Sequence, residues 1–146
     1  MNPRISAELA LAYRDTVYVA AVPKGEIIIR IGSTSTLMDE LLAVEGQREW
    51  AYLSASNPGS NKLTEEENSG RFNKLRSVLT ESGKVFFEGY SRADDGGWPD
   101  EKSALVIGIS LNEALEIGKR FGQLAIVSGA RGGQAILTDC QTGKSV

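Results

Sequence analysis

The 146 residues include no histidine. That removes Ser-His-Asp triads, Cys-His pairs and histidine-ligated zinc. Any general acid or base must be Asp, Glu, Lys, Tyr or Cys140. The residues whose types and spacing fit a site are Asn57, Ser60, Asn68, Arg71, Glu101 and Gln123. Three side-chain amides and a hydroxyl give directional hydrogen bonds. Arg71 offers a planar fork suited to an anion, and Glu101 is the candidate catalytic acid or base. A metal-assisted hydrolase would have to draw on Asp94, Asp95, Asp100 and Glu101. Carboxylates bunched in one loop hold no ion unless the fold brings them round it. The run Asp94-Asp95-Gly96-Gly97 also lacks the alternating ligands and closing Glu of an EF-hand loop. It reads as a solvated turn, so no metal is assigned and any cofactor stays open. The run 129–133, Gly-Ala-Arg-Gly-Gly, lacks the lysine and spacing of a phosphate loop and reads as a hairpin. Cys140 has no obvious base beside it.

These residues need elements to position them. The segment 50–60 reads as a buried strand that stops at an Asn57-Pro58 turn and leads into a helix, a common place for ligands in mixed sheets. Thr64 with Glu67, and Ser110 with Glu113, have the spacing of capping boxes. The first predicts a helix to about Ser82, the second a helix ending at Phe121-Gly122. Strands are predicted at 49–56, 84–90, 103–109, 123–128 and 134–138, with a polar connection over 91–100. Ahead of them, Asn2 and Pro3 suggest the start of a helix carrying Ile5, Leu9, Ala12 and Tyr13 on one face. Thr16 to Val22 and Glu26 to Ile31 form a hairpin about Pro23-Lys24-Gly25. Leu37 to Val44 is a helix capped by Ser35 or Thr36 and stopped by Gly46.

The fold class is therefore α+β, a mixed or antiparallel sheet with helices packed on it, in a single domain over 1–146. From 49 to 128 the order is that of a ferredoxin-like split βαβ core. The first 48 residues add a helix, a hairpin and a second helix. In such a core the strand 49–56 lies between 103–109 and 123–128, antiparallel to both. One rim then collects Asn57 to Ser60, the approach Trp98 to Ser103, and Gln123. On the helix from Thr64, Asn68 shares a stripe with Phe72, Leu75 and Leu79, and Arg71 lies beside it. Asn68 and Arg71 are expected to point towards Asn57 and Glu101. Each residue also has a purely structural reading. Asn57-Pro58 is a turn, Asn68 a tie for that loop, Arg71–Glu101 a partly buried ion pair, Gln123 a helix-end cap, and Trp98 a packing anchor.

The set resembles a bacterial family known as domain of unknown function 3293. The resemblance rests on Ser54-Ala55-Ser56-Asn57-Pro58, on Asn68 and Arg71 near a helix start, on Trp98 followed by Glu101-Lys102-Ser103, and on Phe121-Gly122-Gln123. Tyr18 and Ile28 to Ile31 look like that family's opening hairpin, which would extend the resemblance over nearly the whole chain. Ser54 stands where the family often has Thr, and the Asp100-Glu101 doublet offers two acidic residues where one is sought. The resemblance groups the residues and contributes no chemistry.

The net charge of −3 gives no basic footprint for nucleic acid or an anionic membrane. No apolar run reaches the length of a membrane-spanning helix. Glu8 interrupts what would be a signal peptide's apolar region, and one cysteine allows no internal disulfide, so the cytoplasm is expected. The leading expectation is a domain that binds a polar or anionic small molecule, such as a nucleotide. Glu65, Glu66 and Glu67 at the helix start oppose a phosphate. The rival is a protein-interaction or inhibitory module whose polar cluster is structural. The sequence fixes neither the ligand nor the oligomeric state.

Overall fold

The computed structural model describes residues 5–146. Helix α1 (Ala7–Arg14) leads into a hairpin of β1 (Thr16–Val22) and β2 (Gly25–Ile29), followed by α2 (Thr36–Glu45). Then come β3 (Glu49–Ser54), α3 (Glu65–Glu81), β4 (Val85–Ala93), β5 (Glu101–Ile107), α4 (Leu111–Arg120), β6 (Ala125–Ala130) and β7 (Ile136–Asp139). All seven strands join one sheet in the order β2-β1-β4-β5-β3-β6-β7, and every neighbouring pair is antiparallel. The fold is α+β. The sheet curls until its two edges meet at one end, where Ile31 bridges Ala135 and Ala135 N–H donates to the Ser33 carbonyl.

Alternation along the strands divides the core in two, because successive side chains leave a strand on opposite faces. Trp50 and Tyr52 of β3, Leu105 and Ile107 of β5, and Val127 of β6 pack on the inner face with Ala10 of α1 and Met38 and Leu42 of α2. Ala51, Leu53, Ala104, Val106 and Ile126 face the other way, against Phe72, Leu75 and Leu79 of α3 and Ala114 and Leu115 of α4. The helix starts follow local rules. Thr64 and Ser110 form reciprocal capping boxes with Glu67 and Glu113. Ser35 caps α2, which ends at the left-handed Gly46.

Three features depart from the expected elements. The N-terminal hairpin is built into the sheet itself. β1 pairs with β4, β7 pairs with β6, and the sheet therefore continues past both flanks of the 49–130 unit. The polar stretch 91–100 is shorter than expected as a connection, because β4 runs on to Ala93 and β5 begins at Glu101. Pairing of Ser91 with Glu101 and of Thr16 with Ala93 satisfies the backbone of these polar residues, so they need no apolar alternation to be strand. Finally, α1 starts after the cap Ser6, whose hydroxyl accepts from Leu9 N–H, and Ile5 precedes the helix. The predicted cap Asn2 and Pro3 lie outside the described residues.

Candidate functional site

The end of β3 turns sharply. Asn57 (φ 49°), Gly59 (φ 64°) and Ser60 (φ 63°) all take left-handed backbone around Pro58. Asn tolerates this region better than most residues because its short amide finds local partners. Here the buried Asn57 amide makes three such bonds. Its Oδ1 accepts from Leu63 N–H and from Asn68 Nδ2, each at 2.9 Å, and its Nδ2 donates to Glu101 Oε2 at 2.8 Å. Its own N–H donates to Asn68 Oδ1 at 2.9 Å. Asn57 and Asn68 are thus locked face to face, and Asn68 holds its place on the apolar stripe of α3 without an unpaired amide. The loop's own N–H groups are engaged as well. Gly59 donates to the Gly122 carbonyl, Ser60 to the Asn57 carbonyl, and Asn61 to the Pro58 carbonyl. They form no cradle for an anion.

A second set of bonds holds this turn against the end of α4. Arg71 Nε donates to the Ala55 carbonyl and its terminal nitrogen to the Phe121 carbonyl. Gln123 Nε2 donates to the Ser56 carbonyl at 3.0 Å. Between them Gly122 (φ 73°) approaches so closely that a Cβ there would lie 2.6 Å from Pro58 Cβ. Phe121-Gly122-Gln123 is therefore a latch: one carbonyl for Arg71, one position without a side chain, and one amide for the turn. No ion pair joins Arg71 to Glu101 among the described residues. Both members of the expected pair have neutral partners instead.

Glu101 sits at the start of β5. Its Oε2 accepts from Asn57 Nδ2 and from Trp98 Nε1 at 2.7 Å, and its Oε1 has only a long 3.4 Å contact from Ser54 Oγ. Glu101 and these three partners line a cavity of about 190 Å³ at the open end of the curled sheet, roofed by Leu9 and Tyr13 of α1 and lined also by Tyr18, Tyr52 and Gln123. Burial raises the phenols of Tyr13, Tyr18 and Tyr52 above their ordinary range, and the Glu101 charge adds to this for Tyr13. They stay protonated at neutral pH. Tyr18 and Tyr52 donate their hydroxyl protons to the Tyr13 and Val19 carbonyls. A larger, open groove of about 510 Å³ shares Asn57 and Glu101 but carries charges of both signs, including Lys62, Glu65 and Lys102.

The chain's middle segment decides its relationship. The family described as Protein of unknown function (DUF3293) matches residues 53–126. The chain belongs to this family. The matched segment runs from the end of β3 to the start of β6 and holds the whole turn, the latch and Glu101. The opening hairpin, with Tyr18 and Ile28 to Ile31, lies outside it, so the match is narrower than the motif resemblance alone implied. No curated protein and no solved structure matches the chain. Three of the cavity's aromatic residues, Tyr13, Tyr18 and Tyr52, precede the family segment, whereas Trp98 and Glu101 belong to it.

The expected site residues thus fall into two groups. Asn57, Ser60, Glu101 and Gln123 line the cavity, whereas Arg71 and Asn68 do not. Residues not singled out for a site are Trp98, read as a packing anchor, and Ser54, which both contact Glu101, and the three tyrosines. Trp98 three residues before Glu101 was a readable signal; the tyrosines carried none. The remaining carboxylates disperse. Asp94 pairs with Arg30, Asp100 with Arg92, and Asp95 accepts from Gly97 N–H. The guanidinium partners hold Asp94 and Asp100 below the usual carboxylate range. Among the described residues no group of three acidic or thiol side chains could hold a metal ion, and no helix is long and apolar enough to cross a membrane.

Cys140 is buried, and burial with the Asp139 charge behind it pushes its thiol up to about 11. At pH 8 the thiolate fraction is small and the sulfur is enclosed. A disulfide reagent should therefore label the native protein at least about 100-fold more slowly than the urea-unfolded chain. Comparable rates in the two states would show that Cys140 is accessible.

Proposed function

We propose that this chain is a single-domain cytoplasmic protein that binds a compact polar molecule in the cavity beside Glu101. The observation that carries the reading is a carboxylate held by Asn57 and Trp98 in the lining of a cavity. An apolar cavity of about 150 Å³ accommodates benzene, so about 190 Å³ suits one ring or a short side chain rather than a whole nucleotide. The anionic alternative relied on Arg71, and Arg71 is committed to two backbone carbonyls away from the cavity. In this reading Glu101, Asn57, Ser60 and Gln123 contact the ligand. Arg71 and Asn68 are positioning residues that hold the turn. Acid–base chemistry, if the ligand is turned over, falls to Glu101, with the tyrosines held neutral.

A thermal-shift screen against amines, amides, sugars, amino acids, nucleosides and nucleotides tests this. A ligand at about 100 times its Kd stabilises a fold by about 2.7 kcal/mol, a rise of several degrees in Tm. Glu101→Gln should abolish the shift of any hit. A hit that keeps its full shift in that variant binds elsewhere and sinks the assignment.

The second reading, an interaction or inhibitory module, draws on one observation. The edge strands β2 and β7 present Ile28 and Ile136, 59% and 47% exposed. Exposed edges invite pairing with another chain. Concentration-dependent association lost in Ile28→Lys, together with a silent ligand screen, would favour it.

A further inference from the structure

The side-chain donors that touch Glu101 are already engaged inside the protein. Ser54 Oγ, Asn57 Nδ2 and Trp98 Nε1 donate to its carboxylate, Ser103 Oγ to the Glu101 backbone carbonyl, and Gln123 Nε2 to the Ser56 carbonyl. The hydroxyl protons of Tyr18 and Tyr52 are likewise turned to backbone carbonyls. What lines the cavity is then four aromatic rings, hydroxyls able to donate or accept, among them Tyr13, Ser56, Ser60 and Ser91, and Glu101, whose Oε1 has one long contact. Among the described residues Glu101 is also the only formally charged side chain lining this cavity. It has no cationic partner among the described residues. Lys62 lies 4.9 Å from the centre of the Trp98 ring and, with Lys102, lines the outer groove instead.

A carboxylate in a partly enclosed pocket is more stable with an opposite charge beside it, and aromatic walls favour cations through their negative ring faces. We infer that the ligand is a small organic cation bearing N–H donors, an amine, amidine or guanidine on a group no larger than one ring, held by Glu101 among the cavity's tyrosines. This rests on the cavity being the binding site and narrows the ligand to one charge class. A single carboxylate is too few donors for a metal ion, and among the described residues no Lys or Arg lines the cavity to favour a carboxylate or phosphate ligand.

The test uses three planar probes of nearly equal size on the full chain at pH 7: benzamidine, benzamide and benzoate, titrated by calorimetry. Benzamidine should bind at least tenfold more tightly than benzamide, and benzoate should not bind. Glu101→Gln, with its fold checked by circular dichroism, should remove the preference for benzamidine. If that variant fails to fold, the ranking of the three probes on the native chain still decides the charge class. Leu9→Trp, which fills the roof of the cavity with every charge left in place, should block binding of benzamidine. Benzamide or benzoate binding as tightly as benzamidine would leave a polar-ligand cavity but overturn the cation assignment. Binding of benzamidine that survives Leu9→Trp overturns it too. Failure of all three probes to bind would overturn the cavity as a binding site and the cation assignment with it.

Discussion

Asn57→Ala is expected to destabilise the protein by about 4 kcal/mol, from lost partners and backbone strain together. Alanine removes the acceptor of Leu63 N–H and Asn68 Nδ2 and the donor to Glu101. A buried group left without a partner costs about 1–3 kcal/mol, and two half-buried ones, Leu63 N–H and Asn68 Nδ2, are left here. Alanine must also hold φ near 49°, which costs an L-residue with a Cβ about 1–2 kcal/mol. For a chain of this size the fall in Tm should be roughly 10 °C. Asn57→Gly separates the two causes. Glycine adopts the left-handed region freely, so it should recover only the strain part and melt between alanine and the native chain. Urea unfolding of the three proteins measures this. Equal stability of the glycine and alanine variants would remove backbone strain from the account, and a loss below about 1 kcal/mol for alanine would remove the hydrogen-bond network as the reason for this residue. Asn57→Gly also frees one side of Glu101, so any ligand found in the screen should bind it less tightly.

Gly89→Ala should be at least as damaging. Gly89 of β4 pairs with Ala20 of β1, and a Cβ built there would lie 1.7 Å from the Val19 carbonyl oxygen and 2.7 Å from its carbon. The obstacle is backbone, which cannot rotate away as a flexible side chain would. β1 must separate locally from β4, breaking ladder bonds in the middle of the sheet. The expected loss exceeds about 4 kcal/mol, seen as insoluble expression or a melt far below that of the native chain. Gly70→Ala is the control. Gly70 lies within α3 with nothing within 4 Å of the added Cβ, so it should gain about 0.5–1 kcal/mol from helix propensity. A native-like melt for Gly89→Ala would mean that β1 and β4 approach less closely than described. The consequence reaches the cavity, because β1 carries Tyr18 and β4 carries Ser91 on its wall.

The sequence by itself determined the features set by neighbours three or four residues away. Thr64 with Glu67 and Ser110 with Glu113 start α3 and α4, and Ser35 with Gly46 bounds α2. Such caps are local hydrogen bonds, so spacing alone reveals them. The stripe Phe72, Leu75, Leu79 and the strand-helix alternation over 49–128 also brought Asn57, Asn68 and Glu101 to one rim, because a strand flanked by two antiparallel partners leaves few places for its turn. Tertiary structure decided what those residues touch. Arg71 chose backbone carbonyls over Glu101, and a carbonyl has no sequence signature, so charge pairing was the wrong guide. Trp98 reaches Glu101 because pairing with Ser91 draws Glu101 into β5. Tyr13, Tyr18 and Tyr52 stand far from Glu101 along the chain. They meet it only because the sheet curls until Ile31 bridges Ala135 and α1 closes over the open end. Curvature accumulates from the twist between every pair of strands, so no short stretch of residues encodes it, and the cavity exists only once α1 and strands β1, β3, β4, β5 and β6 have come together.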